Sequence, residues 1–283
     1  MVKLWSLLAT GCVSLLGAGI AQAASLKNVT FSGTAPGDYF VFDGTGTTLA
    51  RVPSTLSNAV KALDGNAVNP TGNVELAASS ETLGFDFTKN TALSGMIAGK
   101  ALTLSSLTAA DWKSVGTQWI GDLVDAYLPS NLSGVRDQIK AEVGARALNE
   151  MLQRRLSDPN ISYVYQDNAG IIRIGLAGFL DARPILTAGM NLSDRLFFQS
   201  LFPNPIQFSE LVKYSYDGKT GYLYSFSATR SGLVAADDGI SFTGNYEVTL
   251  TGHPVRAVPG PGVLVGVMAA AGLGAMRLSR RRA

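Results

Sequence analysis

Between Thr108 and Leu156 the apolar residues fall at steps of three and four. On either side they fall in short runs broken by Gly, Asn, Asp and Pro. This change of period restricts the chain more than any other feature. A helix repeats one face about every 3.6 residues and a strand every second residue, so one stretch cannot satisfy both. The chain reads as α+β: a β-rich body with a central pair of helices.

In the helical section, about residues 108–156, Thr108 is the expected N-cap. Asp111, three residues on, sets an acid at the positive helix end. Trp112, Val115, Trp119, Leu123 and Tyr127 then make one broad apolar face as far as Pro129. A second helix is expected over about 135–156, with Val135, Ile139, Val143, Ala147, Met151 and, at the margin, Leu152 inward. Glu142–Arg146 and Glu150–Arg154 stand four apart with the acid first, each pair worth ~0.2–0.5 kcal/mol. The two helices form a hairpin laid on a sheet or inserted between strands.

Ahead of them, strands are expected at 26–31, 38–42, 74–78, 83–87 and 100–104, with a turn at 43–46. A short helix is expected over 54–63, capped by Ser54, faced by Leu56, Ala59, Val60 and Leu63, and stopped by Asp64-Gly65. Behind them, 161–165 and 171–176 flank a turn at 167–170 and make the clearest hairpin. A second hairpin joins 213–216 to 220–226 across Asp217-Gly218, and a third joins 240–242 to 245–251 across Thr243-Gly244. Residues 197–208, with Pro203 and Pro205, read as a loop around buried aromatics.

The residues leave little room for enzyme chemistry. The one cysteine, Cys12, precedes the body, which therefore has no disulfide, thiolate metal site or cysteine nucleophile. The one histidine, His253, stands in the connector at 253–257, reads as an exposed linker residue, and cannot by itself supply a zinc site. No Gly-x-Ser-x-Gly, Ser-x-x-Lys, P-loop or dinucleotide fingerprint occurs. Carboxylates remain: Asp122 and Asp125 on the first helix, and Asp237-Asp238 before Gly239. Two acids at ~5–9 Å can hydrolyse a glycosidic bond, but acids on a helix surface or in a turn are ordinarily solvated. No stretch matches the twelve-residue calcium loop, so Asp43, Asp237 and Asp238 read as turn residues. No catalytic, cofactor-binding or metal residue is assigned.

Tyr214, Tyr216, Tyr222, Tyr224 and Phe226 alternate across the second hairpin. Such a row serves either as sheet core, with cross-strand pairs worth ~0.2–1 kcal/mol each, or as an exposed platform for sugar. Core packing is the expected use, because buried aromatics dominate it.

The two ends carry addresses. Lys3 precedes an apolar stretch over 4–20, and Ala21-Gln22-Ala23 offers the small-x-small site of a signal peptidase, with Ala24 the first residue of the mature chain. At the other end, residues 263–276 hold no charge, about 21 Å of helix at ~1.5 Å per residue, against the roughly 30 Å of a hydrocarbon core. Val258-Pro259-Gly260-Pro261 breaks the chain before that run, and Arg277, Arg280, Arg281 and Arg282 close it. Setting aside Lys3 and those four arginines, the 23 basic residues fall to 18 against 21 acids. The body is therefore mildly acidic and the pI of about 8.6 belongs to the ends. No polybasic block remains to bind nucleic acid.

The tail resembles the PEP-CTERM sorting signals of bacterial envelope proteins: a Pro-x-Pro motif, a short transmembrane segment, then arginines. Gly260 stands where the family usually has Glu. The body, through residues 69–79 and 107–112, is similar to a cyanobacterial set of PEP-CTERM proteins without assigned activity. The resemblance implies transfer across the inner membrane, tail removal by an exosortase-type enzyme, and delivery to the cell surface or extracellular matrix; the expected partners are the Sec export machinery, that enzyme, the membrane before processing, and exopolysaccharide. The expected organisation is a signal peptide at 1–23, an extracytoplasmic body at 24–257 and a sorting tail at 258–283. The expected function is non-enzymatic. Two other readings stand beside it: a secreted carbohydrate-binding module or acid-pair glycoside hydrolase, and an envelope protein permanently anchored by its tail.

Overall fold

The computed structural model describes residues 24–45, 48–128, 133–147, 150–188, 190–228, 234–235 and 244–253. In chain order the first part runs β1 (Ala24–Ser25), β2 (Lys27–Gly33), β3 (Tyr39–Thr45), β4 (Thr48–Val52), α1 (Leu56–Ala62), β5 (Gly72–Leu76), β6 (Thr91–Ile97) and β7 (Lys100–Ser105). The helices α2 (Ala109–Tyr127), α3 (Ser133–Ala147) and α4 (Glu150–Arg155) follow. The rest comprises β8 (Asn160–Gln166), β9 (Ile171–Phe179), α5 (Arg183–Leu186), α6 (Leu192–Leu201), β10 (Phe208–Ser209), β11 (Val212–Tyr216), β12 (Lys219–Leu223), β13 (Val234–Ala235) and β14 (Gly244–Thr251). This is a mixed α+β fold dominated by antiparallel sheet, with helices between the strand-rich parts.

Two sheets face each other. Among the described residues the larger runs β10-β9-β8-β5-β3-β4-β13, with β1 added on β8 and β14 on β9; the smaller runs β12-β11-β7-β6-β2. Every pairing but β4 with β13 is antiparallel. Their inner faces share one core. Ile172, Ile174 and Leu176 of β9 and Tyr246 and Val248 of β14 enter it from one side; Leu93, Ile97, Leu102, Leu104 and Val212 enter from the other. The residues are aliphatic or aromatic at alternate positions, which is what a pleat with one buried face selects. Gly175 of β9 lies opposite a bulge in β8, where Ser162 and Tyr163 together face one partner. A Cβ there would come within 2.3 Å of the Tyr163 ring, so only glycine fits.

A second core lies under the helices. Trp112, Val115, Trp119, Ile120, Leu123 and Val124 of α2 meet Leu156, Phe179, Phe202, Ile206, Phe208 and Leu211. The Trp119 ring stands edge-on to Phe208 at 5.4 Å and to Trp112 at 6.1 Å. The expected capping box is present: Thr108 Oγ1 accepts from the Asp111 amide, and the Asp111 carboxylate accepts from the Thr108 amide.

The first and last described residues converge on one residue. Ala24 pairs with Gln166, and the Gln166 side-chain amide donates to the His253 carbonyl at 2.6 Å.

The structure departs from the sequence reading in several places. Residues 83–87 are a loop in which Leu83 is fully exposed and Arg154 donates to the Ser80 and Thr82 carbonyls, leaving Glu150 without its expected ion pair. Asp43 and Gly44 continue β3, whose pairing with β4 runs on to Thr45 and Thr48. α1 is capped by Thr55, not Ser54, and buries Ala59, Ala62 and Leu63 while Leu56 and Val60 face solvent. Met151 faces solvent and Leu152 is the buried neighbour. Residues 197–201 belong to α6, capped by Asn191, and the prolines follow its end. The side chains of Val135, Glu142, Val143, Arg146 and Ala147, and the partner strand expected at 240–242, lie outside what is described.

Candidate functional site

At one edge of the sandwich, α2, the β11–β12 hairpin and the end of β14 border a half-open cavity of about 480 Å³. The hairpin is tight because Asp217 and Gly218 both take positive φ, 49° and 75°, as its two-residue turn requires. Pairing of Tyr214 with Gly221 lays the tyrosine ring across the glycine; a Cβ at 221 would stand 2.8 Å from it. Tyr216, also on the wall, is buried in the sheet core, whereas Tyr214, Tyr222 and Tyr224 are half-buried. Val115 and Gln118 of α2 form one side, and Thr249, Leu250 and Thr251 of β14 the other. β12 pairs with β11 alone among the described strands, so its outer edge borders the cavity.

Two acids on α2 fix the tyrosines. The Tyr222 hydroxyl donates to Asp111 at 2.9 Å, and the Tyr224 hydroxyl donates to Asp122 at 2.6 Å. Asp111 also holds Lys213 at 2.7 Å. Burial would raise the Asp111 pKa, but its bonds from Lys213, Thr108 and Tyr222 outweigh that and hold the carboxyl below its ordinary value. Burial and then the bond to Asp111 push the Tyr222 phenol up to about 12; burial and Asp122 raise Tyr224 likewise. Both rings therefore stay neutral and oriented. Asp111→Ala removes a helix cap and both contacts to the hairpin, an expected loss of ~1.5–3 kcal/mol by the usual worth of hydrogen bonds to a charged group. Urea unfolding checks this; a loss below that of Thr108→Ala would show that the hairpin contacts contribute nothing.

A second cluster is sealed inside. Glu210, buried after β10, accepts from the backbone amide of Asn160 and from its side-chain amide at 3.1 Å. Asp158, also buried, accepts from the Ser80 hydroxyl. Burial raises both carboxyls well above their ordinary values, and the charge of Asp158 adds to the effect on Glu210. The two are tied together through Asn160, whose side chain also donates to the Asp158 carbonyl. Their separation in sequence, with no shared motif, hid them from the sequence reading. Neither lines the cavity described above.

The acids singled out from sequence do not converge. Asp122 serves Tyr224, Asp125 pairs with Arg136 and Lys140, and Asp43 pairs with Lys61. Asp237 and Asp238 lie outside the described residues. His253 is about half exposed and meets Asp217 at 2.9 Å. Lys100 first, then His253, lower the Asp217 pKa to about 2. Of the residues expected from sequence to take part in processing, Ala24 lies in β1; Ala21, Ala23, the motif at Val258, Pro259, Gly260 and Pro261, and Arg277, Arg280, Arg281 and Arg282 lie outside the described residues. Among the described residues no three His, Cys, Asp or Glu side chains gather as a metal site, and no helix is long and apolar enough to cross a membrane. Comparison with protein-family models, curated proteins and solved structures gives no match.

Proposed function

We propose that this chain is an exported, non-enzymatic protein of the cell surface or extracellular matrix, processed at both ends. The observation that carries the reading is the tail: Val258-Pro-Gly-Pro261, a run too short for a comfortable membrane span, and four arginines after it. Signal peptidase acts after Ala23 and an exosortase-type enzyme at the Pro-Gly-Pro motif, with the membrane holding the intermediate. The body suits a life outside the cell without disulfides, because two packed cores carry its stability.

The test is intact mass spectrometry of the protein from its native producer, split into membrane and extracellular pools. A species starting near Ala24 and ending near Val258, outside the cell, is the expected result. A full-length C-terminus confined to the membrane makes the tail a permanent anchor and ends the sorting reading.

A further inference from the structure

We propose that the tyrosine-lined cavity beside β12 is a binding site for a pyranose glycan. The proposal rests on the reading of the chain as exported, since that places the site among extracellular polymers. Its physical basis is the wall itself.

Tyr222 and Tyr224 on the face of the hairpin turned to the helical core, and Tyr214 on the face turned to the sheet core, bring half-buried rings from either side of β12 to a cavity of about 480 Å³, within the ~300–1,000 Å³ range of small-ligand sites. A sugar ring has an apolar C–H face and an equatorial belt of hydroxyls. Flat amphipathic rings match the first, and short polar side chains match the second. Gln118, Thr249 and Thr251 supply the polar rim, each able both to donate and to accept.

Charge narrows the choice. Among the described lining residues Lys219 alone is charged. The nearby acids are already engaged, Asp111 by Lys213 and Tyr222, Asp122 by Tyr224. A cationic ligand therefore meets no free carboxylate on the wall, and a polyanion such as nucleic acid meets a single ammonium. A neutral glycan, or one bearing an isolated carboxylate within reach of Lys219, is the class that remains. The site is also pre-ordered: the acid partners hold the Tyr222 and Tyr224 rings in place before any ligand arrives, which reduces the entropy lost on binding.

The outer edge of β12, unpaired among the described strands, offers a competing use, addition of an extended peptide as a further strand. The cavity favours the sugar, because strand addition needs an open edge rather than a pocket walled by α2 and β14.

Calorimetric titration of the full chain in detergent with cellohexaose, maltohexaose, xylohexaose and a xylotetraose bearing a single glucuronate tests this. At least one is expected to bind with submillimolar Kd, weakened tenfold or more by Tyr214→Ala and by Thr249→Trp. The second variant fills the cavity from an exposed position and keeps every core side chain, so it remains informative where the first fails to fold. Absence of binding across all four sugars overturns the proposal, as does binding that survives Thr249→Trp in a folded protein. Capture of an extended peptide, lost on Thr220→Pro, with no sugar bound reassigns the edge to strand addition. A protein that is processed and exported but binds no sugar loses the site alone. One that binds sugar while keeping its tail in the membrane loses the sorting reading alone.

Discussion

Trp119→Ala is expected to destabilise the body by ~3–5 kcal/mol, the range for removing a large aromatic from a core that relaxes incompletely. Trp119 is fully buried at the centre of the helical core, with Trp112, Phe208 and Phe226 around it. These neighbours belong to α2, β10 and the segment after β12, so the void touches three elements at once. In a protein of this size the loss corresponds to a fall in Tm of roughly 6–20 °C. Trp119→Phe is expected to cost much less, for a specific reason. The indole N–H is buried without a partner, so phenylalanine removes an unsatisfied donor along with some volume. Thermal unfolding of the two variants decides the matter. Equal losses would mean that the aromatic cluster, as described, does not anchor α2.

The second large effect is on pH. Asp158 and Glu210 carry raised pKa values because they are buried. As pH climbs past the ordinary carboxylate range, about 4, the unfolded chain gives up these protons while the native state keeps them. The native state then binds more protons than the unfolded one, so stability declines with rising pH. The slope reaches about 1.4 kcal/mol per pH unit for each proton retained, until pH passes the raised values. Asp86, Asp111, Asp167, Asp181 and Asp217 act in the opposite sense, since their pKa values are lowered. Their contribution is complete above about pH 4 and fades as pH falls through the lowered values, about 2 for Asp217. The expected profile peaks in mildly acidic solution and falls on both sides. Asp158→Asn should flatten the alkaline limb, because one of the two titrating groups is gone. A Tm that stays level or rises from pH 5 to 8 in the parent protein would contradict the account, as would an unchanged slope in the variant.

Local pattern carried the fold where local physics decides it. The capping box at Thr108 and Asp111, the apolar face of α2, and the β8–β9 and β11–β12 hairpins were all legible because residues within a few positions determine them. The failures have a common source in distant partners. β6 escaped notice because Thr91-Ala-Leu-Ser-Gly-Met-Ile97 lacks strong alternation; its Gly95 is there to admit the Leu26 side chain, 2.7 Å from where a Cβ would stand. The alternation of Leu83, Phe85 and Phe87 looked like a strand, yet Arg154 pins that segment as a loop and lies over the Phe85 ring. Pro203 and Pro205 suggested a loop, whereas they follow a helix that they help to end.

The candidate site was half visible. The tyrosine row stood in the sequence, and its expected role in the core holds fully for Tyr216 and in part for Tyr214, Tyr222, Tyr224 and Phe226, which pack half-buried against the two cores. The walls come from α2 and β14, more than twenty residues away on either side, and no periodicity announces them. The buried acids are the clearer omission. Asp158 and Glu210 each look like an ordinary loop acid, and only the folded chain brings both to Asn160.

The meeting of Ala24 and His253 at Gln166 separates the identity of the ends from the identity of the body. A body whose first and last described residues lie at one spot behaves as a cassette. Replace what precedes Ala24 or follows His253, and the described strands keep their partners. Circularise the chain there with a short linker and reopen it at the exposed Leu83 loop, and every β pairing survives. The body can thus be grafted or permuted without rebuilding either sheet.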